Sequence, residues 1–233
     1  MYLSEVNSRI IRTTLIIGLI FSFGISTIGQ SLLAFDDMSS FEKILKGKTH
    51  FSIDSDGKLL VIGDYHYSTE RLSKTIPQVG CVLIYIKDES GNWNFAQEIK
   101  SPRGKAYDNF GVSVAISDKY LVIGALGEDH MDENGEIIYD TGAAYFYQKD
   151  DKNNFQLVQK ICSSDLKPYS IFGSKVDIKD DEIIIDSHTE ENNNTYWIAN
   201  TYQKNENNDW QPVRKSATDG HIKNQTVSNI LSE

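Results

Sequence analysis

The side chains best suited to chemistry lie in one acidic run, Glu128-Asp129-His130-Met131-Asp132-Glu133-Asn134-Gly135-Glu136. Calcium takes about six to eight oxygen ligands on a flexible loop with a glycine at its bend. Asp129, Asp132 and Asn134, with Glu136 or Asp140 closing the shell, meet that demand in type and form the candidate calcium site. The spacing is not that of an EF-hand, and a solvated acidic loop would read the same way. His66, His130 and His188 each follow an apolar run but sit 3, 6 and 2 positions past the comparable residues Gly63, Gly124 and Asp186, so a shared metal cluster is not expected. Asp64, Asp129 and Asp186 supply loop carboxylates for a glycan-cleaving alternative. No phosphate loop or G-x-S-x-G elbow occurs, and the chain is read as a non-enzyme. Trp93, Tyr145, Phe146 and Tyr147 could stack on a sugar, yet their strand spacing assigns them to a core. Cys81 and Cys162 have no zinc spacing; a bridge and two separate thiols both stay open.

The elements that must carry these loops recur. Phe110-Gly111 returns as Phe172-Gly173, Gly80 as Gly142 and the aromatic Trp93 as Phe155, each 62 positions on. Leu60-Val61-Ile62-Gly63 returns as Leu121-Val122-Ile123-Gly124 and again as Ile183-Ile184-Ile185-Asp186. A fixed period of this size marks an array whose units bury apolar faces by stacking. In the middle unit Gly111 to Ser117 alternates at period two, as a strand does. Tyr120 to Ala125 and Gly142 to Tyr147 are apolar or small on both faces, while Phe155 to Ile161 is half polar. Three strands buried on both sides and a fourth meeting water make the blade of a propeller. The third unit is shortened: Tyr147 matches Tyr202 and Phe155 matches Trp210 at a spacing of 55, and Trp197 stands where the strand-opening glycine should be.

Arg9 and Arg12 precede an uncharged, largely apolar stretch over 13–35 that ends in small residues. This is an apolar helix serving either as a signal peptide cleaved before Gln30 or as an uncleaved anchor; both export the rest. The net charge of −10 argues against a nucleic-acid partner.

Phe110-Gly111-Val112-Ser113-Val114-Ala115-Ile116, Leu121-Val122-Ile123-Gly124-Ala125 and Asp140-Thr141-Gly142-Ala143-Ala144-Tyr145-Phe146 resemble the FG-GAP repeat, the blade unit of integrin alpha-subunit propellers and of many secreted bacterial propellers. The resemblance covers roughly 47–215 and implies a secreted or surface propeller used for binding or adhesion. Family members often hold calcium between the first and second strands. Here that connection has shrunk to Asp118-Lys119 and Lys179-Asp180-Asp181, and only Asp54-Ser55-Asp56-Gly57 keeps something similar.

The expected organisation is therefore all-β: a signal or anchor (1–29), a linker (30–46), a partial β-propeller of about three four-stranded antiparallel blades (47–100, 101–162, 166–215) and a polar tail (216–233). The expected partner is a protein or glycan at the cell surface; the alternatives are the glycan-cleaving propeller and a truncated propeller fragment with a structural role only. Three blades leave an end face on each side, so self-association or further blades are expected too.

Overall fold

The computed structural model describes residues 43–46, 48, 50–179, 181–191 and 194–219. Apart from one helical turn at 43–45, its regular structure is β. The first sheet contains β1 (Ser52–Ser55) and β2 (Leu59–Asp64), then, after a small hairpin of β3 (Thr69–Arg71) and β4 (Lys74–Ile76), β5 (Cys81–Lys87) and β6 (Trp93–Lys100). The middle sheet repeats the plan: β7 (Phe110–Ile116), β8 (Tyr120–Ala125), a hairpin of β9 (His130–Met131) and β10 (Ile137–Ile138), then β11 (Ala143–Lys149) and β12 (Phe155–Cys162). The third sheet holds β13 (Lys175–Lys179), β14 (Glu182–Glu191), β15 (Asn194–Lys204) and β16 (Trp210–Asp219). Each four-stranded sheet is an antiparallel meander in chain order.

Period-two alternation explains how the sheets stack. Val114, Ile116, Leu121, Ile123, Tyr145 and Tyr147 face the first sheet and pack on Val61, Val82 and Ile84. Their neighbours Ala115, Val122, Ala144 and Phe146 face the other way, onto Val176, Ile183, Ile185 and Tyr202 of the third sheet. The middle sheet thus serves two cores, which is why its three inner strands carry almost no polar residue. The fourth strand meets water: Leu157 and Val158 of β12 are exposed. Pro212 sits in β16, an edge strand, where a missing N–H is tolerated.

The sheets are also latched by hydrogen bonds that repeat with the sequence. Ser52 Oγ donates to Gly111 O, and Ser113 Oγ to Gly173 O, both at 2.8 Å. The Gln97 amide clasps the backbone of Phe155, donating to its carbonyl at 3.0 Å and accepting from its N–H at 2.9 Å. Gln159 does the same to Trp210, at 2.9 Å for both bonds. Close approach requires glycine at the end of the second strand. A Cβ on Gly63 would lie 2.0 Å from Gly111 O, and one on Gly124 would lie 1.9 Å from Gly173 O. A register shift falls at the same place in each four-stranded sheet, at Ile84/Tyr85, Phe146/Tyr147 and Thr201/Tyr202.

The third sheet differs from expectation at its ends. Its first strand opens at Lys175, and Phe172 makes only an isolated bridge to Gly142. The shortened connection between its second and third strands is a continuous ladder reaching Glu191 and Asn194, and β16 continues to Asp219, past the expected start of the tail at 216. The apolar segment expected at the amino terminus lies outside the described residues. No described helix is long and apolar enough to cross a membrane.

Candidate functional site

A buried polar cluster forms where the connection from the first to the middle sheet meets the loop after β8. Tyr107 and Asn109 take positive φ (65° and 54°), and their N–H groups reach Pro77 O and Gln78 O, each at 3.0 Å. This tight path brings Arg103 and Asp108 beside Glu128. The Glu128 side chain is fully buried (0% exposed). Its Oε2 accepts from the Tyr145 hydroxyl at 2.6 Å, and its Oε1 pairs with Arg103 Nη1 at 3.0 Å and with Lys160 Nζ. The Glu128 carbonyl accepts from Thr141 Oγ1 at 3.1 Å and Gly142 N at 2.9 Å. One carboxylate therefore fastens a loop to two strands and to the inter-sheet connection.

Burial works against ionised Glu128, but the hydrogen bonds from Lys160 and Tyr145, the Lys160 charge and the Arg103 bond outweigh it and hold the carboxyl below its usual range. Asp108 fares differently. Burial pushes it up to about 6, the Arg103 charge 4.0 Å away only partly offsets this, and Glu128 adds repulsion. Burial, then the bond to Glu128, drives the Tyr145 hydroxyl far above its ordinary range. His130 is pulled down chiefly by burial; its Nδ1 meets Thr141 Oγ1 at 2.5 Å, and its Nε2 has no hydrogen-bond partner. The cluster holds one carboxyl below its ordinary range and the other above it. Both are buried, and their bonds tie the loop, the strands and the inter-sheet connection together.

The acidic run next to it is organised by its own backbone. Asp129 Oδ1 accepts from Asp140 N at 3.0 Å, and the Asp129 carbonyl receives Arg103. Asp132 Oδ1 accepts from Asn134 N and Glu136 N, both at 2.8 Å, which shapes the β9–β10 hairpin. Asp88 and Asp150 make the same pair of bonds in the hairpins that close the first and middle sheets. Asn134 Nδ2 turns back to Asp132 Oδ2 at 3.3 Å. Among the described residues no group of three or more His, Cys, Asp or Glu is gathered as a metal holder. Near the end of β1, Asp54 Oδ2 reaches the next sheet and accepts from Ile116 N at 2.8 Å, while in the turn that follows Asp56 Oδ1 accepts from Lys58 and Leu59 N–H.

The histidines stay with their own sheets. His66 stacks on His50 at 4.1 Å, His130 belongs to the Glu128 cluster, and His188 lies 5.8 Å from Trp197. Asp64 pairs with Lys48 at 2.5 Å, and Asp186 is half-buried on the third sheet. Tyr145, Phe146 and Tyr147 are core residues. Both cysteines are free thiols, and burial raises Cys81 to about 12. The Glu128 cluster escaped the sequence reading because Arg103, Tyr145 and Lys160 share no local spacing with Glu128. The one available signal was a glutamate placed soon after a wholly apolar strand.

The family model for the FG-GAP repeat matches residues 93–147. That span begins at β6 of the first sheet and ends within β11 of the middle one, so it includes Gln97, which grips the next sheet, and Gly111, whose carbonyl Ser52 latches. No relative among curated proteins matches the chain.

Proposed function

We propose that this chain, which carries an FG-GAP repeat across 93–147, is a three-blade partial β-propeller acting as an exported binding or adhesion module, its partner a protein or glycan at a cell surface. The observation that carries the reading is the middle sheet, whose strands fit the repeat and whose two faces both pack on neighbouring sheets. Such stacking leaves the connecting loops at the sheet ends as the surface on which recognition residues vary. The buried ionic cluster fits this role, since it fixes those loops.

The test presents the purified segment from Gln30 onward to a glycan array and a panel of cell-surface proteins. Saturable binding without turnover is expected. Hydrolysis of a glycoside panel that disappears with Asp64→Asn, Asp129→Asn or Asp186→Asn would replace the binding reading with the glycan-cleaving one.

A further inference from the structure

Each sheet grips the next through one set of positions, and the third sheet carries that set in altered form. The register of the ladders makes the comparison direct. Ser52 pairs with Gly63, Ser113 with Gly124, and Lys175 with Asp186. The serine hydroxyl that latches the next sheet's glycine carbonyl is thus replaced by Lys175. The glycine against which that carbonyl lies 1.9–2.0 Å from a hypothetical Cβ is replaced by Asp186, whose real Cβ occupies the space.

Two further positions agree. Gly142 lies one residue before the β11–β8 ladder, and its place in the third sheet is taken by Trp197, paired with His188. A Cβ on Gly142 would stand 2.1 Å from Phe172 O, so an indole there blocks the approach of a following Phe-Gly backbone. Gln97 pairs with Ile84, Gln159 with Phe146, and Arg214 with Thr201. The amide that both donates to and accepts from the next sheet is therefore replaced by a guanidinium, which only donates. Arg214 Nη2 turns to Glu182 Oε2 at 3.3 Å on its own sheet.

The packing residues follow. In β7 the side chains facing the next sheet are buried, whereas Lys175, Asp177 and Lys179 of β13 are exposed. Thr201 stands where Phe146 fills the core between the middle and third sheets. Repeat arrays need terminal units with a polar outer face.

We infer that the outward face of the third sheet is a terminal cap: a further blade of this repeat, whether from the same chain, a second copy or another protein, does not seat on it. Assembly through other surfaces is untouched by this. The cap accounts for the altered third unit as adaptation to water rather than loss of pattern.

Two measurements test it. In the full chain, Lys175 acetylation and Trp197 oxidation are followed by mass spectrometry over a range of protein concentrations. Constant rates are expected, and protection of both residues that grows with concentration would overturn the cap. Second, a duplicate of residues 101–162 is either inserted after Cys162, where it meets the middle sheet's gripping face, or appended after Glu233. Hydrogen exchange should show the inserted strands protected like β7–β12 and the appended strands unprotected. Equal protection of both copies overturns the cap. Equal exposure of both overturns the premise that these positions decide docking.

Discussion

At the residue scale the Glu128 cluster shows why an acidic protein buries acids. Glu128 has two cations and a phenol hydroxyl within reach, so its charge is compensated; Asp108 has a share of Arg103 at 4.0 Å and the Lys105 N–H at 3.3 Å, which offset its burial only in part. The two carboxyls accordingly respond to pH in opposite senses. Glu128, held low when folded, adds stability that is present above the ordinary glutamate pKa and is lost as pH falls through its lowered value. Asp108, raised to about 6, binds its proton more tightly in the fold than in the unfolded chain. Stability therefore falls as pH rises from about 4 to about 6, and a shift of about two units corresponds to roughly 2–3 kcal/mol, fully felt at pH 7. Asp108→Asn should thus melt higher than the parent at neutral pH, with the difference fading below about pH 4; thermal melts at several pH values would expose any error as a parallel offset. Glu128→Ala should cost about 3–5 kcal/mol, because it strands Arg103 and Lys160 without their counter-charge. Denaturant titration measures this, and a loss under about 1 kcal/mol would mean water takes over the carboxylate's role. Asp132→Ala removes two turn bonds and should cost about 1 kcal/mol whether or not calcium is present. A cost that appears only with calcium would return Asp129, Asp132 and Asn134 to a metal site.

At the scale of elements, the repeating latches are testable one by one. Gln159→Ala leaves the Trp210 N–H and carbonyl without their side-chain partner and should cost about 2 kcal/mol. Gln97→Ala should cost a similar amount through Phe155, whereas Arg214→Ala, at the same register position in the third sheet, should cost well under about 1 kcal/mol. Denaturant midpoints for the three variants decide this, and an equal cost at all three would show that Arg214 also holds a neighbour. The strands of the middle sheet were legible from sequence because both their faces are buried, and steric alternation writes that demand into every residue from Val112 to Ile116. The Ser and Gln latches were not legible, since one hydroxyl or amide on a strand carries no sign of what it meets about sixty residues away. The long β14–β15 ladder was hidden for another reason. The spacing of 55 reported a missing loop, but pairing through His188–Trp197 and beyond depends on backbone bonds that any extended residues make. The acidic run was read by residue type alone, which could not tell that Glu128 points inward while Asp132 folds its own hairpin.

At the scale of the whole molecule, the three sheets form a short one-dimensional array. Strands of the first sheet contact β7, β7 contacts β13, and the two cores share the middle sheet without sharing a residue. Stability in such an array is a sum of units and interfaces, so damage at one interface stays local. Gly124→Asp carries the third sheet's own residue into the interface between the middle and third sheets. Its Cβ would sit 1.9 Å from Gly173 O, and an aspartate would add a buried charge beside that carbonyl. The expected outcome is release of the third sheet alone. Exchange in β13–β16 should approach that of an unfolded segment, while β1, β2, β5 and β6 keep their protection, because the core between the first and middle sheets contains no residue of the third. Asp186→Gly, the reverse change on the capped face, should leave exchange in all three sheets near the parent's, since Asp186 belongs to neither core cluster. If instead Gly124→Asp raised exchange equally in every sheet, the three would fold as one indivisible unit, and the nearest-neighbour account of this chain would fail.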